Sequence, residues 1–161
     1  MVNPEGMEKK VGEFAPMFEF RSYAYYNITQ EGVQEFLLAD EGYRYWNMDL
    51  LTGVRFYFKS RTGVDTIKGH TAYVLTGTGI TDFNGSIIYE RSDGSKLESR
   101  DVRYNKGKST IAGGQPFVLT EEGVEFRGER FWVDTKNKIL RAERIKSWFL
   151  VEDNTSSKVE Y

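Results

Sequence analysis

The sequence predicts a single all-β domain, and three observations carry that prediction. Short runs alternate apolar and polar residues: Val54, Phe56 and Phe58, then Ile87 with Tyr89, Phe117 with Leu119, Val124 with Phe126, and Phe131 with Val133. A period of two marks half-buried strands. These runs are separated by turn formers such as Asp93-Gly94, Asn105 to Gly107, Gly113-Gly114 and Glu122-Gly123. Strand and turn thus recur roughly every ten residues, the rhythm of antiparallel sandwiches and barrels. No amphipathic helix of ten or more residues separates them, so nothing suggests a βαβ unit.

Taken in order, residues 1–13 are polar and read as a tail or linker, residues 14–151 as the domain, and residues 152–161 as a second polar tail. The domain opens on an aromatic stretch in which Phe18 pairs with Phe20 on one face and Tyr23 with Tyr25 on another. Asn27 to Gly32 is expected to turn, Val33 to Ala39 to form a strand, and Asp40-Glu41-Gly42 to turn again. Tyr43 to Met48 then reads as a strand, followed by the clearer alternation from Val54 to Lys59. Short segments around Ile67, Ala72 to Leu75 and Thr78 to Ile80 are each bounded by glycine, and a long final pattern runs from Ile139 to Val151.

Composition narrows the function classes. With 161 residues the chain can bury a core without metals or disulfides. Its net charge is −2 with both signs interspersed, unlike the clustered basic excess of a nucleic-acid binder. No run reaches the ~18 apolar residues of a transmembrane helix. Cysteine is absent, which excludes thiol catalysis and disulfides but does not decide the compartment. Aromatic residues make up 15% of the chain, in keeping with twisted, half-buried strands.

The residues offer little for catalysis. His70 is the single histidine, and a lone imidazole makes a poor metal site or triad, so it reads as a turn or surface residue. Asp40-Glu41 and Glu121-Glu122 lie beside glycines as turn decoration, not as carboxylates facing across a cleft. Gly77-Thr78-Gly79 and Gly113-Gly114 lack the helix and lysine of a phosphate loop. Asn27-Ile28-Thr29 fits a glycosylation triplet, common by chance. Neither an enzyme nor a cofactor is expected. The aromatic and aliphatic set is read as a core, part of which could line a groove for lipid chains.

The order of residues adds a resemblance. The run Gly85-x-Ile87-x-Tyr89-x3-Asp93-Gly94-x2-Leu97-x-Ser99-x2-Val102-x-Tyr104 resembles the lipopolysaccharide-export β-jellyroll family. The likeness continues through Ile111, Pro116 to Val118, Gly123 and Gly128-x2-Phe131-x2-Asp134. Upstream, Phe20, Tyr25, Ile28, Gly32-Val33 and Leu38-Ala39 resemble the opening strands of its periplasmic LptC-like branch, with the LptA-like (OstA-like) branch as second choice.

The resemblance implies a single twisted, open β-jellyroll: two antiparallel sheets enclosing an apolar groove. It implies a periplasmic carrier or bridge for lipopolysaccharide, covering the lipid A acyl chains, and an inner-membrane anchor through an N-terminal helix that these residues do not contain. The groove lining expected is Phe56, Phe58, Ile87, Tyr89, Leu97, Phe117, Leu119, Val124, Phe126, Phe131 and Val133. The N-terminal edge, with Phe18, Phe20 and Tyr25, would meet an inner-membrane ABC transporter. The C-terminal edge, with Ile139, Ile145 and Phe149, would meet an LptA-like jellyroll. Two other readings stay open from the residues. One is a carbohydrate- or small-ligand-binding sandwich using Trp46, Trp132 and Trp148 as a stacking platform; the other is an assembly protein that uses edge strands alone.

Overall fold

The computed structural model describes residues 15–150 and 158–160, with backbone alone at 149, 150 and 158–160. Five long strands come first: β1 (Phe18–Thr29), β2 (Gly32–Arg44), β3 (Met48–Ser60), β4 (Gly63–Leu75) and β5 (Ile80–Glu90). Shorter strands follow: β6 (Lys96–Arg100), β7 (Val102–Asn105), β8 (Thr110–Gly113), β9 (Phe117–Glu121), β10 (Val124–Gly128), β11 (Arg130–Asp134), β12 (Ile139–Glu143), β13 (Lys146–Leu150) and β14 (Lys158–Glu160). All pairings are antiparallel, and one hydrogen-bonded sheet of 14 strands contains them. The fold is all-β, one open antiparallel sheet.

The register shows that the short strands are halves of long ones. β6 and β7 both lie along β5, with Ser86 opposite Arg100 and Asp82 opposite Arg103. In the same way β9 and β8 run along β6 and β7, β10 and β11 along β9 and β8, and β13 and β12 along β10 and β11. The chain is thus an up-and-down meander in which each long strand bends midway. Left-handed residues mark the bends: Ser22 in β1, Gly53 in β3, Gly85 in β5, Asp101 between β6 and β7, and Arg144 between β12 and β13. Register shifts accompany the one in β4 to β5, between Gly69 and Thr71. Such irregularities bend a strand and sharpen its twist. Gly53 sits at φ +64°, a region that favours glycine, and a Cβ there would lie 2.1 Å from Asp40 Oδ2, which would have to move aside. The break beside Gly85 is stitched from both sides: its N–H donates to Asp101 Oδ1 at 2.7 Å, and its carbonyl accepts from Asp101 N–H at 3.0 Å.

Aligned across the meander, these bends form a crease along which the sheet folds on itself. The two antiparallel sheets expected from sequence are the two halves of one sheet. Contacts between the halves confirm the folding. Phe58 on one half stacks with Tyr104 on the other at 5.3 Å, and Phe117 meets Phe131 edge-on at 5.3 Å. Between the halves lies one apolar cluster that includes Leu37, Leu51, Val54, Phe56, Phe58, Ile67, Ile87, Tyr89, Leu97, Ile111, Phe117, Leu119, Phe131 and Val133. In these strands the structure shows which of the two alternating faces turns inward, a choice that alternation alone does not make.

Four local expectations are corrected. Asp40-Glu41-Gly42 does not turn: β2 runs through it, and the chain reverses at Tyr45 to Asn47 instead. Gly42 is there for close approach, because a Cβ would meet Leu51 Cδ2 at 2.8 Å. The expected strand from Tyr43 to Met48 is therefore the end of β2, the turn and the start of β3. Asn27 to Thr29 stays in β1 up to its two-residue turn, with a bulge between Asn27 and Ile28. The stretch from Ile139 is broken at Arg144 into β12 and β13. The polar ends at 1–13 and 152–157 lie outside the described residues, and Lys158–Glu160 pair with β13 as β14.

Candidate functional site

Between the two halves of the sheet, on the β1 to β5 side, lies an open cleft of about 590 Å³. One wall comes from Tyr23 and Tyr25 of β1, Glu35 and Leu37 of β2, and Phe56 of β3. The other comes from Arg44, Asp49, Val74, Leu75, Ile80, Thr81, Tyr104 and Lys106. Met17 and Trp46 stand at its rim, and Trp46 is 77% exposed. Leu37, Phe56 and Tyr104 are buried and form an apolar floor continuous with the core. That volume falls in the range of small-ligand sites.

Two polar clusters are set into this apolar wall. In the first, Arg44 grips Asp49 with both arms, Nε to Oδ1 at 2.9 Å and Nη2 to Oδ2 at 3.0 Å, while the Tyr23 hydroxyl donates to Oδ2 at 3.2 Å. Register makes this pair, since Arg44 and Asp49 are direct cross-strand partners at the β2–β3 turn. Arg44 also lies over the Phe20 ring at 5.3 Å. In the second cluster, Lys106 Nζ pairs with Glu35 Oε1 at 3.3 Å, and the Tyr104 hydroxyl donates to Glu35 Oε2 at 3.4 Å. In both clusters the carboxylate is sunk and the cation faces outward.

The phenols carry a pH signature. Burial first, then the Asp49 carboxylate, pushes Tyr23 up to about 12. Burial first, then Glu35, pushes Tyr104 well above its ordinary value, and burial followed by Asp65 does the same for Tyr89. A folded-state value raised above the unfolded one means the native state holds protons that the unfolded chain has released. These contributions are complete below the ordinary phenol value near 10 and are lost as pH rises beyond it. Stability is expected to fall by about 1.4 kcal/mol per pH unit for each of the buried Tyr89 and Tyr104 above pH ~10. Urea midpoints measured between pH 9 and pH 12 check this, and Tyr104→Phe should flatten the fall.

The residues named from sequence distribute unevenly around the cleft. Phe56 lines it. Phe58, Ile87, Tyr89, Leu97, Phe117, Leu119, Phe131 and Val133 lie deeper, packed in the core. Phe126 packs against that core, and Val124 is half-buried on the same strand. At the edges, among the described residues, β1 pairs with β2 alone and β12 with β11 alone, while β13 is covered by β14. Phe18, Tyr25, Ile139 and Ile145 are exposed and Phe20 is half-buried; Phe149 sits opposite Val124, its side chain outside the described residues. The three tryptophans lie apart. Trp132 sits under Arg141 and Trp148 under Arg127, and no ring contact among the described residues links them. His70 is exposed on β4, its Nδ1 2.8 Å from Thr71 Oγ1.

The sequence reading missed Tyr23 as a cleft residue, along with Glu35, Leu37, Arg44, Asp49, Tyr104 and Lys106. One signal was present. Glu35 has the parity of the inward Leu37 and Ala39, and a charge at a core position marks either an error or a function.

No family model and no curated protein sequence matches the chain. Among solved structures, the chain is similar to LptH of Pseudomonas aeruginosa, described as the LptA homologous periplasmic component of the lipopolysaccharide transport device. The identity is 11% and the TM-score 0.34, over 89% of this chain and 92% of that one.

Proposed function

We propose that this chain is a non-enzymatic periplasmic carrier or bridge of the lipopolysaccharide-export kind, sheltering acyl chains between the two halves of its folded sheet. The cleft is the observation that carries the reading: an open, ligand-sized gap whose apolar floor runs into the core and whose rim carries Arg44 and Lys106. The physics sets a matching demand. An acyl chain of about a dozen methylenes exposed to water costs on the order of 10 kcal/mol at about 0.8 kcal/mol per CH₂. A carrier must cover that length without gripping it by specific polar contacts. In this reading the tail enters over Tyr25, Leu37 and Phe56, and the deeper set from Phe58 and Tyr89 to Leu119, Phe131 and Val133 forms the path beyond. The phosphorylated head stays at Arg44 and Lys106.

The exposed strand edges suit strand addition by neighbours. The reading sets the β1 edge, with Phe18, Phe20 and Tyr25, against an inner-membrane ABC transporter. It sets the β12–β13 edge, with Ile139, Ile145 and Phe149, against an LptA-like jellyroll. In the LptC-like version an N-terminal helix beyond these residues anchors the protein to the inner membrane.

Photo-crosslinking tests the reading. A benzophenone side chain placed singly at Tyr25, Phe56, Phe58 or Leu119 is incubated with purified lipopolysaccharide, with Glu90 and Arg127 as exposed, outward controls. Labelling is expected to be strongest at Tyr25 and Phe56 and absent at the controls. Leu37→Trp, which fills the cleft floor, should reduce it at least fivefold. A folded protein that labels at none of the apolar positions has no lipid path, and the carrier reading fails.

A further inference from the structure

Opposite the open cleft, the two halves of the sheet meet in a second gap, and this one is shut. Tyr89, Leu97 and Leu119 on one half face Val133 and Leu140 on the other, leaving no space for a water molecule. At its outer end a lysine crosses between the halves. Lys138, in the turn between β11 and β12, reaches Asp65 on β4, 73 residues away in sequence, with Nζ 3.3 Å from Oδ1. The same ammonium donates to Ser92 Oγ at 2.8 Å, in the loop after β5. Asp65 is fully buried and anchored on its own half by the Tyr89 hydroxyl at 2.8 Å and the Ser92 N–H at 3.0 Å. Lys138 has its backbone in the left-handed region (φ 55°), which holds the turn in the shape that aims its side chain inward.

The asymmetry is informative. Asp65 belongs to a hydrogen-bonded network of one half, whereas Lys138 comes from a hairpin whose outer strand, β12, pairs among the described residues with β11 alone. Loss of the Lys138 side chain would remove its hydrogen bonds to Asp65 and Ser92 between the halves and none of the backbone pairings of β11 and β12. We propose that the Lys138–Asp65 contact is a latch and that the seam beneath it is a second mouth of the interior, closed in this state and opened when the hairpin tip swings away. The inference rests on the carrier reading for its purpose: a ligand admitted at the cleft needs a way out, and the latched hairpin belongs to the edge at which that reading hands the lipid on.

The chain contains no cysteine, so single thiols report the opening without background. Leu119→Cys places a thiol in the seam, and Ile111→Cys places one in the core away from it. Maleimide labelling rates are measured for both in the otherwise native chain and with Lys138→Met. The ratio of the Leu119 rate to the Ile111 rate should rise at least tenfold on loss of the lysine. Ser92→Ala, which removes one of its two partners, should raise the ratio less, and Lys138→Arg should largely restore it. A ratio that stays constant, whether both rates rise together or neither changes, overturns the latch. Lipid plays no part in this measurement. A latch that fails while Phe56 still crosslinks lipopolysaccharide, or the reverse, separates this inference from the carrier reading.

Discussion

Phe117→Ala is expected to cost about 3–5 kcal/mol of unfolding free energy, the range for deleting a fully buried phenylalanine ring. The ring is 2% exposed and meets Phe131 edge-on, one ring from each half of the folded sheet. Each ring lies over a glycine that is its direct partner on the neighbouring strand. Phe117 is opposite Gly128 and Phe131 is opposite Gly113. A Cβ at Gly128 would come within 2.5 Å of Phe117 Cε1 and 3.1 Å of the Glu143 carbonyl; one at Gly113 would come within 2.8 Å of Phe131 Cε1. The two glycines hollow the sheet beside the crease, and the two rings fill the hollow. The reverse substitution, Gly128→Ala, is therefore also destabilising, by about 1–3 kcal/mol through overpacking, because neither the buried ring nor a backbone carbonyl can yield cheaply. Urea unfolding checks both. A cost below 1 kcal/mol for Phe117→Ala would mean that the halves are not held together at the crease.

That pair also shows how far the fold was legible. Strict alternation grouped Phe117 with Leu119 and Phe131 with Val133 on shared faces without knowledge of their partners, because a strand's parity is a local property, but which face turns inward was left to the structure. The glycines beside them could not be read in the same way. Gly42, Gly113 and Gly128 look like turn formers in a linear sequence, yet each sits within or at the end of a strand to let a neighbouring side chain approach. Treating Gly42 as a turn displaced the true reversal at Tyr45 to Asn47 and hid the cross-strand partnership of Arg44 with Asp49. The crease was invisible for a related reason. It consists of one bend per strand, and the bends line up only when the register is known.

The cleft was harder to see than the core. Its floor shares Phe56 with the apolar set, but its character comes from charges. Glu35 finds Tyr104 and Lys106 about seventy residues along the chain, and nothing local to Glu35 announces them. An acidic residue at the inward parity of an apolar strand was the one available sign.

Asp65 is the extreme of that class, and its removal carries the second large effect. Asp65→Ala is expected to cost about 3–5 kcal/mol, as for breaking a buried ion pair from one side. Four donors converge on its carboxylate: Tyr89 Oη at 2.8 Å, Ser92 N–H at 3.0 Å, Ser60 Oγ at 3.3 Å and Lys138 Nζ at 3.3 Å. The cost is unevenly shared. The Tyr89 hydroxyl is buried and cannot reach water, so it keeps the full penalty of an unmade bond. Lys138 retains 14% side-chain exposure, and its long stem can carry the ammonium outward. Asp65→Asn, which keeps an acceptor but loses the charge, should therefore cost less than Asp65→Ala. Once Asp65 is gone, Lys138→Met should add almost nothing, so the double variant should be more stable than the sum of the single costs predicts by 1 kcal/mol or more. Urea midpoints at unchanged m-value give all four corners of this cycle. Strictly additive costs would mean that the cation and the carboxylate do not recognise each other. Non-additive ones show that the cation and the carboxylate recognise each other across the two halves, with the anion held by its own half and the cation on a stem that reaches from the other.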